Sequence, residues 1–450
     1  MSLSSEEKNN VMGLFKQLRA YDSKNAEKER YYEGKNKVKA LGIAVDPSLA
    51  NLRTAIDWAK TVVDIKQERL KFEGYIDDSD LGLMDIFRAN DLNLQSKLAH
   101  NDAMKFGVSF VAVGTGAFGE PSPLITVESP KRFTADFNLR TRRLDSALSV
   151  TRDGKGQPLT GALYLPNETI YVEFFEKNWY EIARDEHGLG RVPVAVIRNN
   201  PQTGEFHGKS DITNAVREIT DSAMRTLQHM EINSQFYSSP RIIALNAAQE
   251  AFTDSDGNPI NAFNAIAGNI LDFPYNAADK VPTTVTQLNA NSPAPFIDQI
   301  KMYAQLLSQA TGIPSNLLGF DTGNPTSAEA ITAMETRLIK IAEDKQEMFS
   351  MGWLEVARLA LLVRDGSIPE EMSRVDTVWR DPATITRAAS ADATQKLIAS
   401  GVLLPDSEVT YNRLGMTDAE KRQLDSEKRI ATANALVANL ATATQTATNI

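Results

Sequence analysis

The chain is 450 residues long, enough for two or three ordinary cores, and its 42% hydrophobic and 24% charged content excludes global disorder. The absence of cysteine excludes disulfides, thiolate metal sites and cysteine nucleophiles, and fits assembly in a reducing cytoplasm. A net charge of -10 excludes a surface that grips phosphates everywhere, which needs clustered lysine and arginine.

The polar opening MSLSSEEKNN lacks the apolar core of a signal peptide. Residues 4 to about 34 then read as a polar helix with Val11, Leu14, Phe15 and Leu18 at spacings of three and four. A second helix is predicted over about 48–70, with Leu52, Ile56, Ala59, Val63 and Leu70 on one face. A third is predicted over about 81–106, from Leu83 through Ile86, Phe87, Leu92, Leu98 and Met104. The period then changes to two. Val108, Phe110 and Ala112 alternate as in a strand, and short alternating runs follow at about 123–128, 145–151, 160–165, 168–175, 179–184 and 192–198. Turn-forming stretches such as DGKGQP (153–158) and EHGLG (186–190) separate them, which predicts meandering antiparallel hairpins.

Helical spacing returns from Ser210 to about Ser238, ending at Pro240. A mixed segment follows with strand-like RIIAL (241–245), a turn at 254–259, GNILDF (268–273) and TTVTQL (283–288). Another helix, about 296–311, carries Phe296, Ile300, Tyr303, Leu306 and Leu307 and stops at Gly312 and Pro314. The loop PSNLLGFDTGNP (314–325) precedes a long helix to about 364, where Thr326 and Glu329 have capping-box spacing and Gly352 is the expected bend. Its charges, among them Glu335, Arg337, Lys340 and Lys345, are assigned to a solvated or subunit-facing surface. A strand in RVDTVWRDP (374–382) and helices at about 384–401, 407–413 and from 417 onward complete the chain, whose Ala/Thr-rich end is expected to fray. The longest compact apolar run, Leu359 to Val363, is too short to span a bilayer, so no membrane partner is expected.

Chemical motifs are thin. Residues 204–210, Gly-Glu-Phe-His-Gly-Lys-Ser, follow an apolar strand as a phosphate-binding loop does. Only three residues separate Gly204 from Gly208, however, where four are needed for the amides to curl round phosphates. A glycine turn entering a helix accounts for them better. Asp254, Asp256 and Gly257 place the glycine too early for a calcium loop, with Phe263 where the closing glutamate belongs. The four histidines, His100, His187, His207 and His229, have no metal-binding spacing, and no nucleophile elbow occurs. No cofactor, metal or catalytic residue is assigned.

The order of elements resembles the portal proteins of tailed bacteriophages, in particular those of siphophages of Gram-positive hosts. It is carried by R-V-P-V-A-V-I-R-N-N-P (191–201), G-K-S-D-I (208–212), S-S-P-R-I-I-A-L (238–245), A-T-G-I-P-S-N-L-L-G (310–319) and N-P-T-S-A-E-A-I (324–331). The resemblance implies an α+β portal fold with an α/β wing, a helical stem, a small α/β clip, a long kinked helix and a helical crown. Residues 1–209 would be the wing, 210–239 the first stem helix, 240–295 the clip and 296–311 the second stem helix. A tunnel loop over 312–325, the kinked helix and return to the wing over 326–382, and the crown and tail over 383–450 would follow.

Function is implied in the same way: a homo-oligomeric ring, twelve subunits being the expectation, at one capsid vertex of the virion, assembled in the host cytoplasm. Double-stranded DNA would pass through it during packaging and ejection. Its partners would be the terminase large subunit, a head–tail adaptor, and the major capsid and scaffolding proteins. Asn316, Asp321, Thr322 and Asn324 on the loop, with Lys301 and Gln305 on the second stem helix, are the candidates to face DNA. Two rival readings stand beside it: another head–tail connector or scaffold-type structural protein, and a nucleotide-binding enzyme built on Gly204 to Ser210.

Overall fold

Ser4 opens the first helix with a reciprocal cap. Its hydroxyl accepts from the Glu7 amide at 3.2 Å while its own amide donates to the Glu7 carboxylate at 2.7 Å. In the computed structural model, which describes residues 3–36, 56–77, 79–237, 241–245, 284–288, 292–319, 328–383, 387–416 and 418–448, this helix is α1 (Ser5–Tyr32). Val11, Leu14 and Leu18 form its buried stripe and press onto Leu148, Leu163, Val172 and Trp179 of a five-stranded sheet. The same edge is tied by Arg184, whose guanidinium bonds the carboxylates of Glu7, Glu168 and Glu181.

That sheet is the expected meander with one strand more, Phe133–Asn138, which the alternation did not predict. Strands β4 (Phe133–Asn138), β5 (Arg143–Arg152), β6 (Pro158–Tyr164), β7 (Thr169–Phe175) and β8 (Asn178–Asp185) lie in sequence order, each antiparallel to the next. A second sheet places β2 (Val108–Gly114) between β3 (Leu124–Glu128) and β9 (Val194–Arg198), also antiparallel. Central strand β2 is buried on both faces. Val108, Phe110 and Ala112 meet Phe133, Ala135 and Ala147 of the meander, while Val111 and Val113 face the helices.

The helical side departs from expectation in three places. The helix predicted over 48–70 is α2 (Trp58–Glu68), with Leu70 just beyond it and Leu52 outside the described residues. A strand, β1 (Phe72–Ile76), follows it and pairs antiparallel with β12 (Asp376–Trp379), which is how the late strand rejoins the early region. Finally, the helix predicted over 81–106 is two, α3 (Leu83–Ala89) and α4 (Leu92–Phe106). Asn90 causes the break: its amide donates to the carbonyls of Ile86 and Pro123, and its oxygen accepts from the Ile125 amide at 2.8 Å. Pinned to β3, the chain turns through Asp91 at φ 49° and restarts. Leu98, expected on the apolar face, is exposed; Leu92 and Met104 are buried as expected, joined by Ala99, His100 and Ala103.

Helix α5 (Asn214–Tyr237), strands β10 (Arg241–Leu245) and β11 (Thr284–Leu288), and helix α6 (Ala294–Thr311) follow, with β10 and β11 antiparallel. The predicted turn at 254–259 and the run at 268–273 lie outside the described residues, as does Thr326 with its predicted cap. The long helix α7 (Ala328–Asp365) is unbroken over 38 residues. Gly352 lies within it at the closest approach to β9: a Cβ there would stand 2.4 Å from Ile197 Cδ1 and 2.8 Å from the Val196 carbonyl oxygen. Absence of a side chain lets helix and strand meet. Helices α8 (Arg387–Ala399), α9 (Glu408–Arg413) and α10 (Asp418–Thr448) end the chain, and α10 continues through the Ala/Thr-rich stretch expected to fray.

Candidate functional site

Helices α5 and α6 pack along each other and carry the β10–β11 pair between them. On α6 the buried positions are Ile300, Ala304, Leu307 and Thr311, a four-three-four spacing that makes one stripe. Lys301 and Gln305 fall off that stripe and are exposed, together with Asp298, Met302 and Leu306. Lys301 Nζ stands 3.8 Å from the Asp298 carboxylate, so this face carries little net charge.

Beyond α6 the chain is anchored before it is free. Gly312 turns at φ 74° and Ile313 is fully buried. Residues Ser315–Leu318 form a 3-10 helix with Leu318 in the core. Asn316 therefore sits half-buried in this turn, rather than on an extended loop, and its side-chain oxygen has no hydrogen-bond partner among the described residues. The projecting segment expected over 312–325 is thus packed through its first half. Asp321, Thr322 and Asn324 lie outside the described residues.

At the base of the two helices is a feature that the sequence reading missed. Lys66 of α2, Asp211 just before α5, and Lys345 of α7 form a buried ion cluster, with side chains 6%, 5% and 2% exposed. Lys345 Nζ is 2.9 Å from Asp211 Oδ2, and Lys66 Nζ is 3.3 Å from Oδ1. Lys345 also donates to the side-chain oxygen of Asn199. Burial works to raise the Asp211 carboxyl, but the two ammonium groups outweigh it and hold the group below its ordinary range. Lys345 was assigned to a solvated face and is instead in the core. The signal was there: Leu338, Ala342, Lys345 and Phe349 share one helical stripe. Glu335, placed on the same solvated face, forms a largely buried pair with Arg69 at 3.0 Å.

The glycine segment at 204–210 does not cradle a phosphate. A Cβ at Gly208 would meet the Asn199 carbonyl oxygen at 2.0 Å, so this glycine serves close chain packing. The Lys209 amide donates to the Asn199 carbonyl and its ammonium pairs with Glu205. Helix α5 begins only at Asn214. Of the histidines, His207 stacks on Tyr21 at 4.2 Å and His100 is fully buried among aromatic rings. Among the described residues no three His, Asp or Glu side chains converge as a metal site, and no helix is long and apolar enough to cross a membrane.

Comparison with known proteins gives a consistent family. A family model described as phage portal protein, SPP1 Gp6-like, matches residues 19–432. The portal protein of Mycobacterium phage D29 is 32% identical over 406 residues, covering 88% of this chain and 83% of its own. That of Mycobacterium phage L5 is 32% identical over 407 residues, with 88% and 82% covered. Among solved structures, a chain from the neck of a native gene transfer agent particle, computed with C12 symmetry, aligns over 87% of this chain at 13% identity and a TM-score of 0.45.

Proposed function

Because this chain belongs to the SPP1 Gp6-like family of phage portal proteins, we propose that its subunits close into a ring of twelve whose axial channel passes double-stranded DNA during packaging and ejection. Portal proteins are structural components of the virion and not enzymes. In this reading α1 to β9 form the wing, α5 and α6 the stem, the β10–β11 region the clip, α7 the tie from stem back to wing, and α8 to α10 the crown. The clip end and the crown would offer docking surfaces to terminase, a head–tail adaptor, and capsid and scaffolding proteins.

The observation that carries the channel assignment is the pairing of α5 with α6 around an inserted strand pair, which leaves one face of α6 exposed. Lys301 and Gln305 on that face would line the channel, Asn316 would seat the tunnel loop, and Asp321, Thr322 and Asn324 would form it. With Asp298 beside Lys301, the face offers little net attraction to phosphates. Each retained phosphate contact adds salt-dependent affinity, and DNA has to slide.

Native mass spectrometry of the purified chain with negative-stain imaging tests this reading. A ring of about a dozen subunits with an axial hole is expected. A monomer or dimer that persists at high concentration and with the scaffolding protein added would overturn it.

A further inference from the structure

The buried cluster at the stem–wing junction holds two lysines and one carboxylate. Among the described residues Asp211 is the only acidic side chain on Lys66 or Lys345, so one positive charge is left over inside the protein. A buried charge without a partner is strongly disfavoured; it is relieved by losing the proton, toward which burial pushes Lys345, or by pairing the charge.

These groups line a cavity of about 270 Å³, many times the roughly 30 Å³ a water molecule occupies in the liquid. Asn200, Lys209 and Thr213 complete its polar wall, and Val216, Ala310 and Ile341 its apolar side. Several donors there are not used up. Lys66 has three N–H groups and one acceptor, Asp211. The Asn200 amide gives one hydrogen bond, to Asp211 at 3.4 Å. The Thr213 hydroxyl accepts from the Val216 amide and keeps its own hydrogen to give. Donors, surplus positive charge and room thus coincide.

We propose that this cavity is an anion site, taking one tetrahedral oxyanion of the phosphate class between the ammonium groups of Lys66 and Lys345. Lysine binds phosphate as a point charge, without needing the planar fork of arginine. Bound as its monoanion, it neutralises the single surplus charge of the cluster and joins α2, the entry to α5, the end of α6 and α7 at one point. The inference rests on the cluster and cavity alone and stands whether or not the ring reading holds. The ligand is a free anion, because the lysines are buried too deeply for a duplex backbone to reach.

The test is a titration of the full-length protein with inorganic phosphate, with sodium chloride holding ionic strength constant. Calorimetry and phosphorus NMR give the readout. One saturable site per subunit is expected, weakened on the order of tenfold or more in Lys66→Met. Lys66→Met leaves Lys345 and Asp211 as a neutral pair, so the fold should survive. Should it not, electron-microscopy maps of the wild-type protein in phosphate and in chloride replace it, and density between the two ammonium groups in phosphate alone supports the site. Absence of saturable binding, equal binding by Lys66→Met, no such density, or displacement of phosphate by duplex DNA would each overturn the proposal.

Discussion

Trp353 of α7 donates its indole N–H to Nε2 of His100 of α4 across 2.8 Å, inside a cluster of rings that includes Phe72, Phe349 and Trp379. The bond requires a neutral imidazole with its proton on Nδ1. Burial enforces that state, pushing the His100 pKa down to about 3. His207, half-buried against Tyr21, is pushed down to about 4 by its partial burial and the nearby Lys28 and Lys24.

Both histidines ionise near pH ~6.5 in the unfolded chain, so that state binds more protons as the medium acidifies. Their contribution to stability is complete above that pH and is lost progressively as pH falls toward about 4 and 3. Melting curves at matched ionic strength should therefore show Tm falling from pH 6.5 to 5, with a shallower fall in His207→Gln. A wild-type Tm that is flat or rises over this interval contradicts the assignment.

Replacing Trp353 separates packing from hydrogen bonding. Trp353→Phe keeps a ring against Phe72 but leaves His100 Nε2 unsatisfied, for a cost of about 1–3 kcal/mol. Trp353→Ala opens the core and should cost about 3–5 kcal/mol. Denaturant unfolding of the two variants checks the order; equal losses would assign the whole effect to the hydrogen bond.

Gly352 sets helix propensity against a close contact. Alanine gains about 1 kcal/mol of helix propensity, but its Cβ would fall 2.8 Å from the Val196 carbonyl oxygen, which is fixed in β9. Overpacking of this kind costs about 1–3 kcal/mol, so Gly352→Ala should be destabilised and Gly352→Val more so. A stabilised Gly352→Ala would show that α7 and β9 can separate freely.

The glycine loop gives a contrast between neighbours. Gly208→Ala would drive a Cβ to 2.0 Å from the Asn199 backbone and should unfold or fail to assemble. Lys209→Ala removes one half-exposed pair with Glu205 and should change stability by about 1 kcal/mol or less. Purified wild type should not hydrolyse ATP; hydrolysis lost in Lys209→Ala would revive the enzymatic reading.

The legible parts of this fold are those governed by local pattern. Seven of the eight strands β2 to β9 stood out, all but β4, because alternation and turn residues coincide, as in the DGKGQP turn, where Asp153 accepts from the Lys155 and Gln157 amides. Strand β1 did not, since Gly74 interrupts its pattern and its partner β12 lies about three hundred residues away. The split between α3 and α4 was equally hidden, because Asn90 is held by Pro123 and Ile125 from another part of the chain. Lys345 was read by residue type rather than by position, and Lys66 was not singled out at all. Lys345 shares a stripe with Leu338 and Phe349, and a charge there signals a buried partner, which only the fold identified as Asp211.

The most direct test of the central claim is an electron-microscopy map of the assembled protein, resolved well enough to trace α6. The account predicts a closed ring in which Lys301 and Gln305 point into the axial channel while Ile300, Ala304 and Leu307 stay turned toward the core. A ring lined by another element, with Lys301 and Gln305 on its outer wall, would contradict it.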